Sequence, residues 1–444
     1  MTRVAVVGSG PSGMYAADAL ADKGIEVDVF DRLPVPFGLV RYGVAPDHFS
    51  IRSVRDTLDQ VWDRPGVRFI GNVDVGRDTS VAEMRTAYSA VVLAFGASSD
   101  RRLGIDGEDL PGSVAATDLV AWYTGHPDYA GPDFGSILRN SRRVAVIGVG
   151  NVAVDVVRVL SKSPEELAST DMPDHVLETL ASITAEHVFL VGRRGPAQAS
   201  FTTKELRELG ELASAEVHVD TRDLEMDPVS SGEVLNNKVA ARNVKVLEDW
   251  SVREPREAST QIQLKFFSRP TRIIGVEHVQ GLVIERTEFD NAGASRGTGS
   301  EETLDVDLVV RSVGYQGVPM PGVPFDTKTH TIPNEDGRVV DDGEIVPGLY
   351  VTGWIKRGPS GVIGTNKKCA SGTVSALVED LAAGKVTGVN SEDFLEKLMA
   401  RGVQPVTSEG WRKIDEQEKH RGRSAGKERV TIHEKALLMK TANG

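Results

Sequence analysis

The chain has 444 residues, and its 64 acidic and 51 basic side chains give a net charge of −13. That excess of negative charge opposes non-specific binding to nucleic acid, whose phosphates attract basic surfaces. Its single cysteine, Cys369, excludes an internal disulfide, a dithiol redox pair and a four-cysteine iron–sulfur centre within this chain. The length is sufficient for two or three domains.

The apolar residues are distributed in short runs. None approaches the length of about 18 residues that a membrane-spanning helix needs. A strand pattern begins by Val4, so we expect no secretory signal in front of it. We therefore predict a cytoplasmic protein with no membrane span, in a reducing compartment.

The N-terminal segment predicts a strand, a tight turn and a helix. The apolar run Val4 to Val7 precedes the glycine fingerprint Gly8-Ser9-Gly10-Pro11-Ser12-Gly13. Its three glycines serve a tight turn, room for a pyrophosphate and close packing of helix on strand. The next predicted strand, from Ile25 to Phe30, ends at Asp31. A carboxylate there accepts hydrogen bonds from ribose hydroxyls and repels a 2′-phosphate, so this site favours FAD or NAD.

A second fingerprint follows the apolar run Val144 to Ile147 and reads Gly148-Val149-Gly150-Asn151-Val152-Ala153. No acid ends its partner strand, and Arg193 and Arg194 stand there instead. Guanidinium groups bind phosphate bidentately and keep their charge, which favours the 2′-phosphate of NADP. A pair of exposed surface arginines without a ligand is the alternative.

Several other segments have simple predictions. We expect a helix from about Ile51 to Val61 and a charged tail beyond about Thr407 that forms a surface helix or is partly disordered. Further strands are predicted over 67–70, 90–95, 262–267, 306–310 and 348–352, and a helix over 373–381. The predicted fold is α/β, with two Rossmann-like dinucleotide-binding domains. Residues 1–104 and 326–444 form the FAD domain, and the NADP domain, 105–325, is inserted into it.

Four segments resemble the adrenodoxin reductase family, and together with the two fingerprints they match it in order over roughly residues 1 to 380. They are Pro34 to His48 (PVPFGLVRYGVAPDH), Val191 to Pro196 (VGRRGP), Val310 to Tyr315 (VRSVGY) and Gly353 to Asn366 (GWIKRGPSGVIGTN). The resemblance implies bound FAD in the first site, NADPH in the second, and a ferredoxin, an iron–sulfur protein, as the electron partner.

The resemblance also implies specific cofactor contacts. Matched position by position, the FAD contacts fall on Gly8, Gly10, Pro11, Ser12, Gly13, Asp31, Leu39, Val75, Trp354, Gly361, Val362 and Ile363. The NADP contacts fall on Arg101, Asn151, Val152, Ala153, Arg193, Arg194, Glu205 and Gly361. Relatives often carry glutamate at Asp31, a longer acid with the same chemistry.

Two residues are candidates for catalysis. By resemblance His48 and Glu208 lie near the nicotinamide and tune binding or protonation. The alternatives are a loop-capping histidine and an exposed helical carboxylate. For Cys369 we favour a small packed residue over a redox centre, and we predict no metal site.

The predicted activity is that of an FAD-dependent NADPH–ferredoxin oxidoreductase, which passes hydride from NADPH to FAD and then single electrons to an iron–sulfur protein. An NADPH oxidase or diaphorase without a protein partner, and a redox-sensing flavoprotein without turnover, remain alternatives. Thioredoxin-reductase-like chemistry is disfavoured because it needs a cysteine pair. Ferredoxins are usually acidic, so we expect a basic docking face. Its candidate residues are Arg207, Lys238, Arg242, Lys245, Lys367 and Lys368.

Overall fold

The computed structural model describes residues 2–130, 134–183, 185–386 and 394–444. Its strands, numbered in chain order, are β1 (Arg3–Val7), β2 (Glu26–Phe30), β3 (Val67–Gly71), β4 (Ala90–Leu93), β5 (Ser99–Asp100), β6 (Ser113–Ala115), β7 (Arg143–Ile147), β8 (His187–Val191), β9 (Ala215–Val219), β10 (Thr260–Lys265), β11 (Ser268–Gly275), β12 (Val279–Phe289), β13 (Ser295–Leu304), β14 (Leu308–Arg311), β15 (Tyr315–Gln316), β16 (Asn334–Glu335), β17 (Arg338–Asp341), β18 (Glu344–Val351) and β19 (Val406–Thr407).

Its α-helices are α1 (Pro11–Ala21), α2 (Leu39–Tyr42), α3 (Phe49–Arg52), α4 (Val54–Asp59), α5 (Val81–Ala87), α6 (Ala116–Tyr123), α7 (Phe134–Arg139), α8 (Asn151–Ser161), α9 (Pro164–Leu167), α10 (Asp174–Ala181), α11 (Thr203–Gly210), α12 (Pro228–Asn236), α13 (Lys238–Ser251), α14 (Trp354–Arg357), α15 (Thr365–Ala382), α16 (Phe394–Ala400), α17 (Ser408–Ser424) and α18 (Lys435–Asn443). Short 3-10 helices cover Gln60–Asp63, Pro127–Tyr129, Pro196–Gln198 and Thr221–Leu224.

The chain divides into two compact units. The first unit comprises Met1–Ser99, Thr124–Ala130 and Tyr315–Gly444, and the second comprises Asp100–Tyr123 and Gly131–Gly314. Each unit contains a largely parallel sheet with helical crossovers, which confirms the predicted α/β class with two Rossmann-like halves. Among the residues described, no helix is long and apolar enough to cross a bilayer.

The first unit is built on an eight-stranded sheet in the order β16-β17-β18-β4-β1-β2-β3-β19. Strands β18, β4, β1, β2 and β3 run parallel, and Val4 pairs with Val27 on one side and Ala90 on the other. Val4 and Val6 enter one apolar core and Ala5 and Val7 the other. Burial on both faces explains why these strands are almost uniformly apolar rather than alternating.

The second unit holds a six-stranded parallel sheet in the order β6-β14-β7-β8-β10-β9. A three-stranded antiparallel sheet, β11-β12-β13, packs with it through Ile273, Leu282 and Leu304, which share a core with Ala145 and Ile147. Within this unit β7 and β8 lie side by side. The glycine loop after β7 therefore opens at the same sheet edge as the residues that follow β8.

The helix predicted from Ile51 to Val61 is wrong as a continuous element. The chain instead forms α3, α4 and a 3-10 turn, with breaks at Ser53 and Gln60. The Ser53 hydroxyl donates to the carbonyl of Ser50 at 2.9 Å. Such a local side-chain hydrogen bond gives the backbone an alternative to regular helix.

The prediction of a surface helix or partial disorder beyond about Thr407 is right about helix and wrong about disorder, and it missed how much of the segment is buried. Helices α17 and α18 are integral to the first unit, since Trp411 is 1% exposed and Ile414 and Leu438 are fully buried in its core. The misleading signal was the high charge of α17. Part of that charge is buried, because Glu418 is 0% exposed and pairs with Arg41 and Arg429.

Candidate dinucleotide-binding sites

The first glycine loop joins β1 to α1. The Gly8 N–H donates to the Phe30 carbonyl at 2.8 Å, and Gly8 has a φ of 108°, which favours glycine. A Cβ at Gly13 would overlap the carbonyl oxygen of Gly8, whereas a Cβ at Gly10 would meet nothing within 4 Å. Pro11 begins the helix, where its fixed φ is already suitable. Packing therefore requires Gly8 and Gly13, whereas Gly10 borders open space beside a helix N-terminus.

Asp31 closes this loop from the end of β2. One carboxylate oxygen accepts the N–H of Ser9 at 2.9 Å and its hydroxyl at 2.5 Å, and the other accepts the N–H of Leu33 at 2.9 Å. Burial raises the pKa of Asp31, while the hydrogen bonds from Ser9 and Leu33 lower it in part. A carboxylate has about four acceptor positions, so capacity remains for a ribose hydroxyl.

A second segment packs directly on the first loop. The Phe37 N–H donates to the Ser9 carbonyl at 3.0 Å, and a Cβ at Gly38 would lie 3.1 Å from the Cα of Gly10. Leu39 begins α2 immediately afterwards and is half-buried. Val75 is buried in the core of the same unit, in a bridge with Thr79.

The segment after β18 also reaches α1. The hydroxyls of Ser12 and Thr352 are 3.1 Å apart, and a Cβ at Gly353 would lie 2.7 Å from the Ser12 Cβ. Trp354 follows, its ring tilted against Tyr315 with the centroids 5.4 Å apart. The indole Nε1 of Trp354 is buried and donates to no residue that the structure describes. A buried N–H without an acceptor fits a ligand oxygen at this point.

The loop from 358 to 364 is held by Arg357. Its guanidinium donates to the Ser360 hydroxyl and to the Asn366 Oδ1, each at 3.0 Å. Gly361 has a φ of 78°, and Val362 is 68% exposed. Ile363 is half-buried against the core. An exposed apolar side chain on a pinned glycine loop suits contact with a flat ring.

The second glycine loop repeats the backbone of the first. The Gly148 N–H donates to the Val191 carbonyl at 2.9 Å, and Gly148 has a φ of 130°. A Cβ at Gly150 would meet just the Ser200 hydroxyl, at 3.4 Å. Ala153, in the first turn of α8, is fully buried. Open space again lies beside a helix N-terminus, as phosphate binding requires.

Arg193 and Arg194 follow β8 in the same unit, and both are exposed. The Arg193 carbonyl accepts the hydroxyls of Thr287 at 2.8 Å and Ser295 at 3.0 Å, which fixes the backbone here. Neither guanidinium forms an ion pair with any residue in the described ranges. Two uncompensated guanidiniums on a fixed backbone suit a phosphate dianion.

The second loop also carries the predicted contacts on α8 and α11. The Asn151 Oδ1 accepts the Thr202 N–H at 2.8 Å, and the Thr202 hydroxyl caps α11. Glu205, on the first turn of α11, is 5% exposed, and its Oε2 has no hydrogen-bond partner within the described part of the chain. Val152 is half-buried in the first turn of α8, next to Asn151. An orphaned buried acceptor fits a ligand donor.

Arg101 is the remaining predicted NADP contact. Its side chain is exposed, and its N–H donates to the Gly314 carbonyl at 2.9 Å. Gly314 has a φ of 109°, and a Cβ there would approach the Arg101 Cδ at 3.9 Å. The structure thus brings Arg101 to the turn after β14, in the same unit as the second loop.

The two candidate catalytic residues both have partners in the structure. His48 is 5% exposed, and its backbone N–H donates to the Ala45 carbonyl at 3.0 Å. Glu208 lies 3.4 Å from the buried guanidinium of Arg158 and 3.8 Å from Lys204. Glu208 is therefore tied to α8, the helix that follows the second glycine loop.

Three contacts of the first site escaped the sequence analysis. Ser9 holds Asp31, Arg357 pins the 358–364 loop, and the Cys369 sulfur accepts the Gly353 N–H at 3.3 Å. Burial raises the pKa of the Cys369 thiol, but the hydrogen bonds from Thr352 and Gly353 bring it below its ordinary value. Ser9 lies inside the fingerprint and Arg357 inside the segment Gly353 to Asn366, so both positions were visible in the sequence, whereas their hydrogen-bond partners were not.

Together these features fit a dinucleotide with an unmodified adenosine ribose in the first unit and a 2′-phosphorylated one in the second. No group of three or more His, Cys, Asp or Glu side chains suited to a metal ion occurs in the described residues. The chemistry that this arrangement supports is electron transfer through bound nucleotides, without a protein nucleophile.

Comparison with known proteins agrees with this geometry. Residues 2–188 match the family model described as pyridine nucleotide-disulphide oxidoreductase. The chain is 43% identical to NADPH-ferredoxin reductase FprA of Mycobacterium leprae, over 99% of this chain and 98% of that protein. It is 40% identical to the mitochondrial NADPH:adrenodoxin oxidoreductase of Arabidopsis thaliana, over 97% of this chain and 93% of that one.

A solved structure extends the agreement to the whole fold. The structure of Mycobacterium tuberculosis FprA in complex with NADPH superposes with a TM-score of 0.93 at 42% identity, and each chain is covered completely. Identity of this extent over the full length is far above what a shared fold alone would require. The chain therefore belongs to the adrenodoxin reductase family, which includes the FprA-type NADPH-ferredoxin reductases.

Proposed function

We propose that this chain is an FAD-dependent NADPH–ferredoxin oxidoreductase. The observation that carries the proposal is the pair of unpaired guanidiniums after β8, Arg193 and Arg194, opposed in charge to Asp31 after β2. One unit is thereby suited to FAD and the other to NADPH. The names of the full-length relatives, NADPH-ferredoxin reductase and NADPH:adrenodoxin oxidoreductase, support the same activity.

FAD belongs to the first unit in this proposal. The glycine loop from Gly8 to Gly13 supplies backbone N–H groups and a helix N-terminus to the pyrophosphate, and Asp31 accepts from the ribose. Trp354 and the 361–363 loop flank the ring. When bound, FAD supplies the chemistry that links two-electron hydride transfer from NADPH to single-electron transfer to an iron–sulfur centre.

NADPH belongs to the second unit. Arg193 and Arg194 bind its 2′-phosphate, and Asn151 with the α8 N-terminus binds the pyrophosphate. Arg101 and Glu205 supply the remaining polar contacts. The protein's contribution to the rate is then orientation, because hydride transfer needs the two reacting rings aligned at roughly 3–3.5 Å.

We further propose that His48 and Glu208 tune the reaction. His48 is buried in the chain that follows Phe37 and Gly38, the residues that pack on the first glycine loop. Glu208 is held by the Arg158 guanidinium on α8. His48→Gln and Glu208→Gln should change the pH profile of flavin reduction by NADPH, followed by stopped-flow absorbance. Profiles that superpose on the wild type would remove both residues from the mechanism.

The proposed macromolecular partner is a ferredoxin. Arg207, Lys238, Arg242, Lys367 and Lys368 are exposed and available for an acidic surface. Lys245 is exposed as well, but its ammonium lies 2.7 Å from the Asp249 carboxylate, which offsets part of its charge. Charge reversal at the unpaired positions should weaken ferredoxin reduction at low salt. Turnover independent of ionic strength would contradict a role for these residues in docking.

One assay tests the proposed function against its alternatives. The purified protein should be yellow, be bleached by NADPH, and be recoloured by oxidised ferredoxin in ferredoxin-dependent cytochrome c reduction. Recolouring by oxygen or quinones alone would indicate an oxidase or diaphorase, and bleaching without turnover would indicate a sensor. NADH run in parallel should support much slower turnover. We propose the cytoplasm as the compartment, which cell fractionation would check.

A further inference from the structure

The segment from Leu33 to Tyr42, which covers the first glycine loop, is held by helix α17. Phe37, which donates to the Ser9 carbonyl, has a φ of 83°, a conformation unfavourable for a residue with a side chain. Its ring is fully buried and meets Trp411 of α17 edge-on, with the centroids 5.5 Å apart. The contact with α17 holds this backbone together with two hydrogen bonds, from the Phe37 N–H to the Ser9 carbonyl and from the Val40 N–H to the Phe37 carbonyl, each at 3.0 Å.

A buried ion pair provides a second attachment. The Arg41 guanidinium in α2 donates two hydrogen bonds to the Glu418 carboxylate, one of them at 3.0 Å. The two side chains are 2% and 0% exposed. The same guanidinium lies over the Trp411 ring, 5.7 Å from its centroid. The pair therefore joins α2 to α17 in one fixed geometry, as bidentate arginine–carboxylate pairs do.

Every acceptor of Glu418 is used. Besides Arg41, the carboxylate accepts the Ile432 N–H at 2.8 Å and the Arg429 guanidinium at 3.3 Å. Arg429 in turn lies 2.9 Å from Asp415. Glu418 thus ties α2, α17 and the chain before α18 together.

A buried ion pair of this kind is poor evidence for stability, because desolvation offsets most of the attraction. Its geometric consequence is definite, since moving α2 by an ångström would break two charge-assisted hydrogen bonds. This cluster therefore fixes the position of α2 rather than adding stability. Helix α2 begins at Leu39, directly after Gly38, the residue that packs on Gly10.

We propose that Glu418, acting through Arg41, is a positioning residue for FAD: it holds the Leu33 to Tyr42 segment on the Gly8–Gly13 loop. The inference rests on the proposed function, because it places FAD in the first unit. Without this anchor the strained Phe37 backbone relaxes, and the cover of the pyrophosphate site is no longer fixed.

The test compares three variants of the full chain with the wild type. Glu418→Gln keeps the shape but removes the charge, and Arg41→Lys keeps the charge but not the two-pronged geometry. Arg412→Ala is the matched control, because Arg412 lies on the same helix and pairs with Asp59 and Asp63 without touching Arg41. FAD is titrated into the flavin-free proteins by fluorescence quenching, with NADP⁺ binding and flavin-free unfolding temperatures measured beside it.

We expect Glu418→Gln to raise the FAD dissociation constant about tenfold and Arg41→Lys about threefold. Arg412→Ala should change it less than about twofold even where its unfolding temperature falls equally. Arg412→Ala should match the wild type in its affinity for NADP⁺. It should also match the wild type in its visible circular dichroism when it is saturated with FAD. The loaded Glu418→Gln protein should have an altered flavin dichroism.

Two results would overturn the inference: an FAD affinity of Glu418→Gln within twofold of the wild type, or an equal loss in Arg412→Ala. If Glu418→Gln gives no folded protein, Arg41→Lys decides by the same comparison with Arg412→Ala. A wild-type chain that binds no flavin would overturn the proposed function, and this inference with it. Normal wild-type binding with unaltered variants would overturn the inference alone.

Discussion

The two glycine loops share a backbone and differ in chemistry. In each, the N–H of the first glycine donates to the last strand residue of its neighbour, Gly8 to Phe30 at 2.8 Å and Gly148 to Val191 at 2.9 Å. The charge that follows the neighbouring strand is opposite, Asp31 in one and Arg193 in the other. In the proposed function, a common backbone provides the phosphate cradle, and one or two side chains at the strand end choose the nucleotide.

The loops also differ at the third fingerprint position. A Cβ at Gly13 would overlap the Gly8 carbonyl oxygen, whereas Ala153 is accommodated and buried in the second loop. The helix therefore packs more tightly on the strand in the first loop. This difference gives the strongest test of the comparison.

Gly13→Ala should have the largest effect. Forcing a methyl group against backbone costs about 3 kcal/mol of unfolding free energy, and the distorted loop should no longer retain FAD. Flavin content after purification and thermal unfolding measure both. The counterpart Ala153→Gly should cost about 1 kcal/mol or less and leave the flavin content intact. Equal effects in the two loops would refute the packing difference.

The double variant Arg193→Ala plus Arg194→Ala tests the charge difference. Loss of the charge-assisted bonds to the 2′-phosphate should lower the ratio of kcat/KM for NADPH over NADH about 100-fold. Steady-state ferricyanide reduction with each nucleotide gives the ratio. Arg222→Ala removes an exposed arginine that pairs with Asp220 and serves as the control. A preserved ratio in the double variant would show that specificity lies elsewhere.

Asp31→Asn tests the acid of the first loop. The substitution replaces an acceptor oxygen by a donor, so FAD affinity should fall about tenfold. In the flavin-free protein burial raises the pKa of Asp31, so the folded state disfavours its ionisation. The wild type should therefore lose stability relative to the variant as pH rises above the ordinary carboxyl value of about 3.9. Urea unfolding from pH 3.5 to 8 measures this; a wild type that gains stability relative to the variant as pH rises would contradict it.

The smallest expected effect is that of His126. Its ring packs on Tyr42, the last residue of the Leu33 to Tyr42 segment, with the ring centroids 4.8 Å apart. Burial lowers the pKa of His126 to about 4. The unfolded chain takes up the proton near pH 6.5, so stability should fall by about 1 kcal/mol between pH 6.5 and 4.5. His126→Asn, which retains a cap for the Asp128 N–H, should lose this part of the pH dependence. Identical pH profiles of unfolding would exclude it.

Much of the fold and of the candidate sites was predictable from local patterns. Apolar runs before each fingerprint marked the strands, and the fingerprints placed the turns that Gly8 and Gly148 form with positive φ. Asp31 and Arg193 were identified because a residue that ends the second strand of such a unit lies beside the loop. Each of these inferences uses neighbours in sequence or a fixed strand–turn–helix spacing.

The rest depended on contacts between distant parts of the chain. The polar tail gave no sign that Trp411 and Glu418 are buried, and the helix pattern from 51 to 61 hid its breaks. Glu208 was predicted by resemblance to lie near the nicotinamide, with an exposed helical carboxylate as the alternative, but its partner Arg158 on α8 could not be identified from the sequence. Charge composition reports average exposure, and a paired buried charge is the exception that it misses.

By itself the sequence determined the two nucleotide cradles and the charge that distinguishes them, since both follow from short-range backbone geometry and strand ends. The tertiary structure decided what covers the first cradle. The ion pair between Arg41 and Glu418 joins residues 377 positions apart, and desolvation makes such a pair form only when packing has already placed both ends.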